Sequence, residues 1–196
     1  MNQPGQHKDE VTISELQYRI AVFEDQCAYK ALFFMLFPSL QNFAFSIIKS
    51  RVVAEEIASD VLIDVWMRRK KIEDIQHLKL YLLTAVKHAA VNKLRQENKN
   101  ACFSLDDLSV EFISDYGNPE ASADLHAMQA QLALAVKSLP SSCQLIYKLA
   151  KEDRLKYKEI ATLLNLSIKT VDNQLAIALK KIAHSLHLAP LKKNRF

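Results

Sequence analysis

The chain has 196 residues, 49% of them hydrophobic, which is enough to bury a core and excludes a disordered tail. Glycine occurs only at Gly5 and Gly117. Glycine-rich phosphate loops and two-residue hairpin turns therefore lack the residue that their positive φ angles require, and we predict an all-α fold. No stretch approaches the roughly 20 apolar residues needed to cross a bilayer. Three distant cysteines favour free thiols over disulfides or a metal site, so we expect a cytoplasmic protein; they are Cys27, Cys102 and Cys143.

The formal net charge of +4 is unevenly distributed along the chain. Residues 1–99 carry 14 Lys and Arg against 12 Asp and Glu, residues 100–136 none against 6, and residues 137–196 carry 12 against 4. The acidic segment also mixes Ser, Asp, Gly and Pro without helical periodicity. These shifts predict two small helical domains, 1–99 and 128–188, joined by an acidic flexible linker, 100–127, and followed by a basic tail, 189–196. A basic last domain is suited to a polyanionic partner.

The segment 54–70 has the pattern of a two-faced helix. One face is ordinary core, formed by Ile57, Ala58, Val61, Leu62 and Val65. The opposite face combines carboxylates with apolar side chains, a mixture that suits a protein interface, although a solvated helix face is the simpler alternative. This second face consists of Glu56, Asp60, Ile63, Asp64 and Met67.

A second helix is predicted from His77 to Arg95, with its inward face formed by Leu83, Val86, Ala90 and Leu94. The outward stripe offers aromatic, imidazole, hydroxyl, amide and guanidinium groups, which can stack on bases, contact base edges and hold phosphates. A plain polar surface of a helical bundle is the alternative interpretation. The outward residues are Tyr81, Thr84, His88, Asn92 and Arg95.

The sharpest local pattern is a helix-turn-helix within residues 157–182. A first apolar face is formed by Ile160, Ala161 and Leu164, and a second by Val171, Leu175, Ala178, Leu179 and Ile182. Between them, Asn165 is suited to a left-handed turn, and Ser167 is a natural N-cap that can accept the amide of Thr170.

The outer side of the second of these helices is polar and basic. Asn and Gln can pair with adenine, Lys can contact guanine or phosphate, and a small residue permits close approach to the groove. The sequence therefore predicts a DNA-recognition helix. Its candidate contact residues are Ser167, Lys169, Thr170, Asp172, Asn173, Gln174, Ala176, Lys180 and Lys181.

In this order and spacing, these segments resemble the extracytoplasmic-function (ECF) group of the sigma-70 family, which has two domains called region 2 and region 4. The strings 55-EEIASDVLIDVW-66 and 87-KHAAVNKLRQ-96 are similar to region 2. The strings 139-LPSSCQLIY-147 and 157-YKEIATLLNLSIKTV-171 are similar to region 4. The chain departs from the family at Asn165, where glycine is usual, at His88, where asparagine is common, and at Asp153-Arg154, which replaces a glycine-containing turn.

The resemblance implies a sigma factor that binds core RNA polymerase and directs promoter-specific initiation. The acidic and apolar face from Glu56 to Met67 would bind the clamp helices of the large polymerase subunit, and the residues 167–181 named above would read the −35 element. The resemblance further implies a membrane-bound anti-sigma partner, but no catalytic residue, cofactor or metal. The residues that would bind the −10 element and aid its melting are Lys70, Lys71, His77, Tyr81, Thr84, His88, Asn92 and Arg95.

Two other classes of protein compete with this interpretation. A conventional regulator could carry a similar helix-turn-helix behind a sensor domain, but that class does not require the two N-terminal faces. An all-α enzyme is disfavoured because the sequence has no HExxH motif and no nucleophile with a plausible base. His184 and His187 lie at the end of the last predicted helix and are interpreted as surface residues or partners of the helix dipole, not as metal ligands.

Overall fold

A computed structural model describes residues 12–97 and 123–186. The N-terminal part contains α1 (Ile13–Phe23), α2 (Gln26–Ile48), α3 (Arg51–Met67), a short 3₁₀ turn (Arg69–Lys71) and α4 (Leu78–Glu97). The C-terminal part contains α5 (Ala123–Lys137), α6 (Ser141–Tyr147), a π-helical turn (Lys148–Glu152), α7 (Tyr157–Leu164) and α8 (Ile168–Ser185). The described residues are helical without a strand, which confirms the all-α prediction.

Both predicted N-terminal helices form, with small shifts in their bounds. The first begins and ends three residues earlier than predicted, and the second begins one residue later and ends two residues later. The 54–70 segment is α3, which starts at Arg51, and the second N-terminal helix is α4, which extends past Arg95 to Glu97. The predicted core positions are buried, except that Val61, Leu94 and Leu179 are half-buried. Residues 123–127 were assigned to the linker but are helical, because α5 begins at Ala123. The rest of the linker, Cys102, and the basic tail lie outside the described residues.

Helix α2 corrects one expectation. Its 23 residues contain a single charged side chain, Lys30, and by length and composition the helix could cross a membrane. The observed packing is that of a core helix, because α2 contacts α1, α3 and α4, and Leu32, Leu36 and Leu40 are fully buried between them. Buried central helices and membrane spans have the same composition, since both exclude charge from an apolar environment.

Side-chain caps define where α1 and α2 begin. The Thr12 hydroxyl accepts the amide of Glu15 at 3.2 Å, and the Asp25 carboxylate accepts the amides of Cys27 and Ala28. These bonds satisfy backbone donors that the first helical turn leaves without partners. Two backbone bonds and the Arg19 guanidinium, 2.7 Å away, hold the pKa of Asp25 below its usual value.

The core is continuous between the two parts of the chain. One buried cluster contains the N-terminal leucines together with Leu149, Leu155, Ile160, Leu163 and Leu164 from the C-terminal part. A smaller cluster, further along the same buried face of α8, contains Ala135, Val136, Leu139, Cys143, Ala178 and Ile182. The C-terminal helices therefore pack in two places. Some of their apolar residues pack against α5, and others pack against the N-terminal bundle.

Candidate nucleic-acid and polymerase interfaces

The helix-turn-helix consists of α7, a turn at 165–167 and α8. Asn165 has a φ of 59° and a ψ of 46°, which is the left-handed conformation predicted for it. The Ser167 hydroxyl accepts the amide of Thr170 at 3.0 Å, as predicted. At the start of α7, the Glu159 carboxylate accepts the amide of Lys156 at 2.7 Å. Local hydrogen bonds therefore fix both helix starts and the turn between them.

Helix α8 is anchored by one face and exposes the other. Val171 and Leu175 are fully buried, and this leaves Lys169, Asn173 and Lys180 exposed on the opposite face. Asp172 and Lys181 are exposed beside that face, whereas Thr170 and Ala176 are half-buried. Apart from Gln174, the predicted contact residues of α8 therefore share one side of the helix, and their exposed lysines and amide are donors of the kind that contact phosphates and base edges.

Gln174 is placed differently from its predicted neighbours. It is half-buried, and its amide oxygen accepts the thiol of Cys143 at 2.7 Å. Burial raises the pKa of the Cys143 thiol, while the Lys181 ammonium acts in the opposite direction. In this structure Gln174 therefore joins α8 to α6, and its amide is directed towards the interior of the domain.

The carboxylate and apolar face of α3 is exposed as a unit. Ile63 and Met67 are 51% and 71% exposed, so this face presents two large apolar side chains to solvent. Glu56 and Asp60 lie beside them in solvent, and Asp64 forms a 2.7 Å ion pair with Arg68. Such a mixed surface suits a protein partner.

The α4 stripe is also on the surface. Tyr81, His88, Asn92 and Arg95 are exposed, whereas Thr84 is half-buried and donates its hydroxyl hydrogen to the Leu80 carbonyl at 2.8 Å. Four exposed polar or aromatic side chains, spread over about four turns of the helix, are therefore available to a ligand. Because α4 is buried through its opposite face, substitutions on this stripe leave the core intact.

The loop before α4 is held in place from α1. The buried amide of Gln17 donates to the carbonyls of Ile72 and Ile75, at 2.5 and 2.8 Å. Arg69 lies over the Trp66 ring at 5.0 Å and forms a 2.8 Å ion pair with Glu24, whose pKa it lowers. These contacts leave Lys70, Lys71 and His77 exposed on a fixed loop.

A groove lies between the two N-terminal surfaces. It has a volume of about 270 Å³ and is lined by the end of α3, the loop and the start of α4, including Asp64, Lys71, Ile72 and Tyr81. Apolar walls with a ring, a cation and a carboxylate at the rim can hold a planar polar group. Within the described residues, no three His, Cys, Asp or Glu side chains converge as a metal ion would require.

Comparison with known proteins assigns the C-terminal helices. Residues 129–182, from α5 to α8, match the family described as sigma-70, region 4. The C-terminal helices are therefore similar to region 4 of the sigma-70 family. The match covers the helix-turn-helix and confirms the predicted resemblance to the ECF group. No curated protein sequence matches the chain.

One solved structure illustrates the likeness. It is the sigma factor RpoE in complex with the anti-sigma factor NepR from Bartonella quintana, which is 20% identical to this chain. The comparison covers 81% of this chain and 96% of that one, with a TM-score of 0.49.

The structure adds three residues to the surfaces named from the sequence. In region 4, the exposed residues Ile177 and His184 lie on the side of α8 that carries Asn173 and Lys180. On α3, Val52 is 78% exposed and extends the carboxylate and apolar face by one turn. Helical spacing could have revealed each of them, since Val52 precedes Glu56 by four residues and His184 follows Lys180 by four.

Proposed function

We propose that this chain is a cytoplasmic sigma factor that binds core RNA polymerase and directs promoter-specific initiation, without a catalytic step of its own. The observation that carries the proposal is the capped helix-turn-helix inside the region 4 match, with Lys169, Asn173 and Lys180 exposed on one face. Lysines placed beside a base-reading amide suit a groove flanked by phosphates. Region 4, about 128–188, would read the −35 element.

Residues 1–99 would act as region 2 and bind both polymerase and the −10 element. The α3 face, from Val52 to Met67, would contact the clamp helices of the large polymerase subunit. The α4 stripe and the loop residues Lys70, Lys71 and His77 would hold the non-template strand. Stacking on aromatic side chains contributes about 1–3 kcal/mol per base, so captured bases would favour strand opening.

The groove beside Tyr81 is the proposed acceptor of an unstacked base. Its rim offers a ring for stacking, and Lys71 can neutralise the adjoining phosphate. An anti-sigma partner, which the family resemblance implies, belongs to the same proposal.

Run-off transcription with purified core polymerase tests the proposal. Core enzyme supplemented with this chain should initiate at discrete sites on a genomic fragment library, whereas core enzyme alone should not. A conventional regulator would bind DNA fragments but give no starts without another specificity factor. Binding to DNA without discrete starts would therefore reject the proposal in favour of the regulator.

A further inference from the structure

Asn173 and Gln174 are adjacent amides on α8 that are placed differently. Asn173 is exposed on the side of the helix that carries Lys169 and Lys180. Gln174 is half-buried, and its Oε1 accepts the thiol of Cys143, which lies on α6, at 2.7 Å. Successive residues of a helix differ by about 100° in direction, so the two amides lie on neighbouring strips of one helix surface. The amide of Asn173 is available to a ligand, whereas that of Gln174 is engaged within the domain.

The Cys143 side chain is held in place as a hydrogen-bond donor. It is 2% exposed and belongs to a buried cluster that also contains residues of α5 and α8. Burial raises the pKa of its thiol, while the Lys181 ammonium and a hydrogen bond with Ser142 act in the opposite direction. At neutral pH the sulfur therefore keeps its hydrogen and donates to the amide oxygen of Gln174.

The bond to Cys143 prevents Gln174 from pairing with adenine. Glutamine recognises adenine through two bonds at once, because its amide nitrogen donates to N7 and its amide oxygen accepts from the N6 amino group. In this structure the oxygen is already bonded to the thiol. The strip of α8 that carries Gln174 nevertheless leads to solvent, since Lys181, two turns further along, is exposed. A released amide would therefore have a path to a base edge.

The inward position of the Gln174 amide depends on its donor. An acceptor that is turned towards the interior and lacks a hydrogen bond raises the free energy of the folded state. A thiol is a weak donor, but an apolar group in its place would leave the amide oxygen without that partner. The flexible Gln174 side chain would then turn outward, where water or a base edge satisfies its amide.

We propose that Cys143 determines the base specificity of α8, because its thiol holds Gln174 away from the bases and leaves Asn173 as the one of the two amides that reads them. The inference rests on the proposed placement of α8 in the DNA groove. Removing the thiol should add a second amide that pairs with adenine. Weakened packing alone would instead lower binding to all sequences alike.

Selection from a randomised duplex library measures the preference of the full chain at each base position, without polymerase. Cys143→Val fills the space of the thiol with methyl groups but has no donor, and it should raise the preference for adenine at one position about tenfold. Cys143→Ala should act in the same direction. Cys143→Ser retains a donor and should keep the wild-type preference. Cys27→Val, the same change at an exposed cysteine of α2, is the matched control.

The decisive variant combines two substitutions. Adding Gln174→Ala to Cys143→Val should remove the gained adenine preference, because the amide that reads the base is then absent. Gln174→Ala in the wild-type background should leave the base preferences unchanged, in contrast to Asn173→Ala. Circular dichroism verifies that each variant remains helical.

Four results would overturn the assignment: a wild-type chain that selects no sequence, an unchanged preference in both Cys143→Val and Cys143→Ala, a new preference that survives Gln174→Ala, or an altered preference from Gln174→Ala alone. The same gain in Cys143→Ser or Cys27→Val would also overturn it, since neither change removes the donor to Gln174. These outcomes are independent of transcription. If the variants behave as expected but core polymerase uses no promoter, the proposed function fails and the assignment of Cys143 stands.

Discussion

The Ser167 hydroxyl oxygen accepts a 3.0 Å hydrogen bond from the Thr170 amide and thereby starts the recognition helix. Ser167→Ala removes this cap, so we expect a loss of about 1 kcal/mol in the free energy of unfolding. Urea denaturation followed by circular dichroism measures the change. Ser185→Ala, in the last turn of the same helix, is the matched control and should have little effect. Equal losses in both variants would show that the cap contributes nothing specific.

Arg154 has a φ of 57°, a conformation that costs most residues with a Cβ atom roughly 1 kcal/mol. Arg154→Gly should therefore stabilise the chain by up to about 1 kcal/mol, less the entropy that glycine gains in the unfolded state. Arg154→Ala removes the same exposed side chain without relieving the backbone, so it is the control. Thermal unfolding compares the two. A glycine variant less stable than the alanine variant would contradict the prediction.

Asn173 and Lys180 lie on the same exposed face of α8, but their side chains offer different chemistry. Asn173→Ala should change the preferred −35 bases, because a lost amide contact is worth about 1–3 kcal/mol of discrimination. Lys180→Ala should weaken binding to all sequences alike and reduce the salt dependence, as expected for a phosphate contact. Binding to a randomised duplex library measures both effects. Uniform losses in both variants would mean that Asn173 does not face the bases.

The α3 face should control polymerase binding without affecting the fold. Asp60→Lys combined with Asp64→Lys reverses two charges on that face and should abolish co-purification with core enzyme. Glu73→Lys combined with Asp74→Lys makes the same charge change at exposed positions outside α3 and should retain binding. Circular dichroism of both pairs should match that of the wild type. Retained binding by the first pair would place the interface elsewhere.

Tyr81 and His88 are exposed on the α4 stripe and can stack on unpaired bases. Replacing both with alanine should spare folding and polymerase binding, because neither side chain lies on the buried face of α4. Open complexes, measured by permanganate reactivity of thymines near −10, should decrease by about tenfold or more, since each lost stack is worth about 1–3 kcal/mol. A template with a pre-melted bubble should recover much of the transcription.

Normal opening of duplex promoters by the double variant would contradict that assignment. The melting function would then belong to the loop that Gln17 holds before α4. Lys71→Ala, on the rim of the groove, would be the next variant to compare.

The sequence by itself determined the features that depend on neighbouring residues. The α3 and α4 faces follow from helical spacing, and the left-handed Asn165 and the Ser167 cap follow from bonds that span three or four residues. Such signals are local, because backbone geometry and side-chain chemistry within one turn decide them. The membrane criterion was misjudged for α2, because a central helix buried on several sides has the composition of a span.

Only the tertiary structure decided which residues from distant segments of the chain contact one another. Ser39 and Asp153 are 114 residues apart, and Gln17 reaches a carbonyl 55 residues away. Gln174 also belongs here, since its position on α8 suggested a base contact, whereas packing against α6 directs its amide to Cys143. No local period encodes these pairings, because they depend on how amphipathic helices share their buried faces. The sequence of a helix determines which of its faces is buried. Which other helix that face packs against depends on the packing of the whole chain.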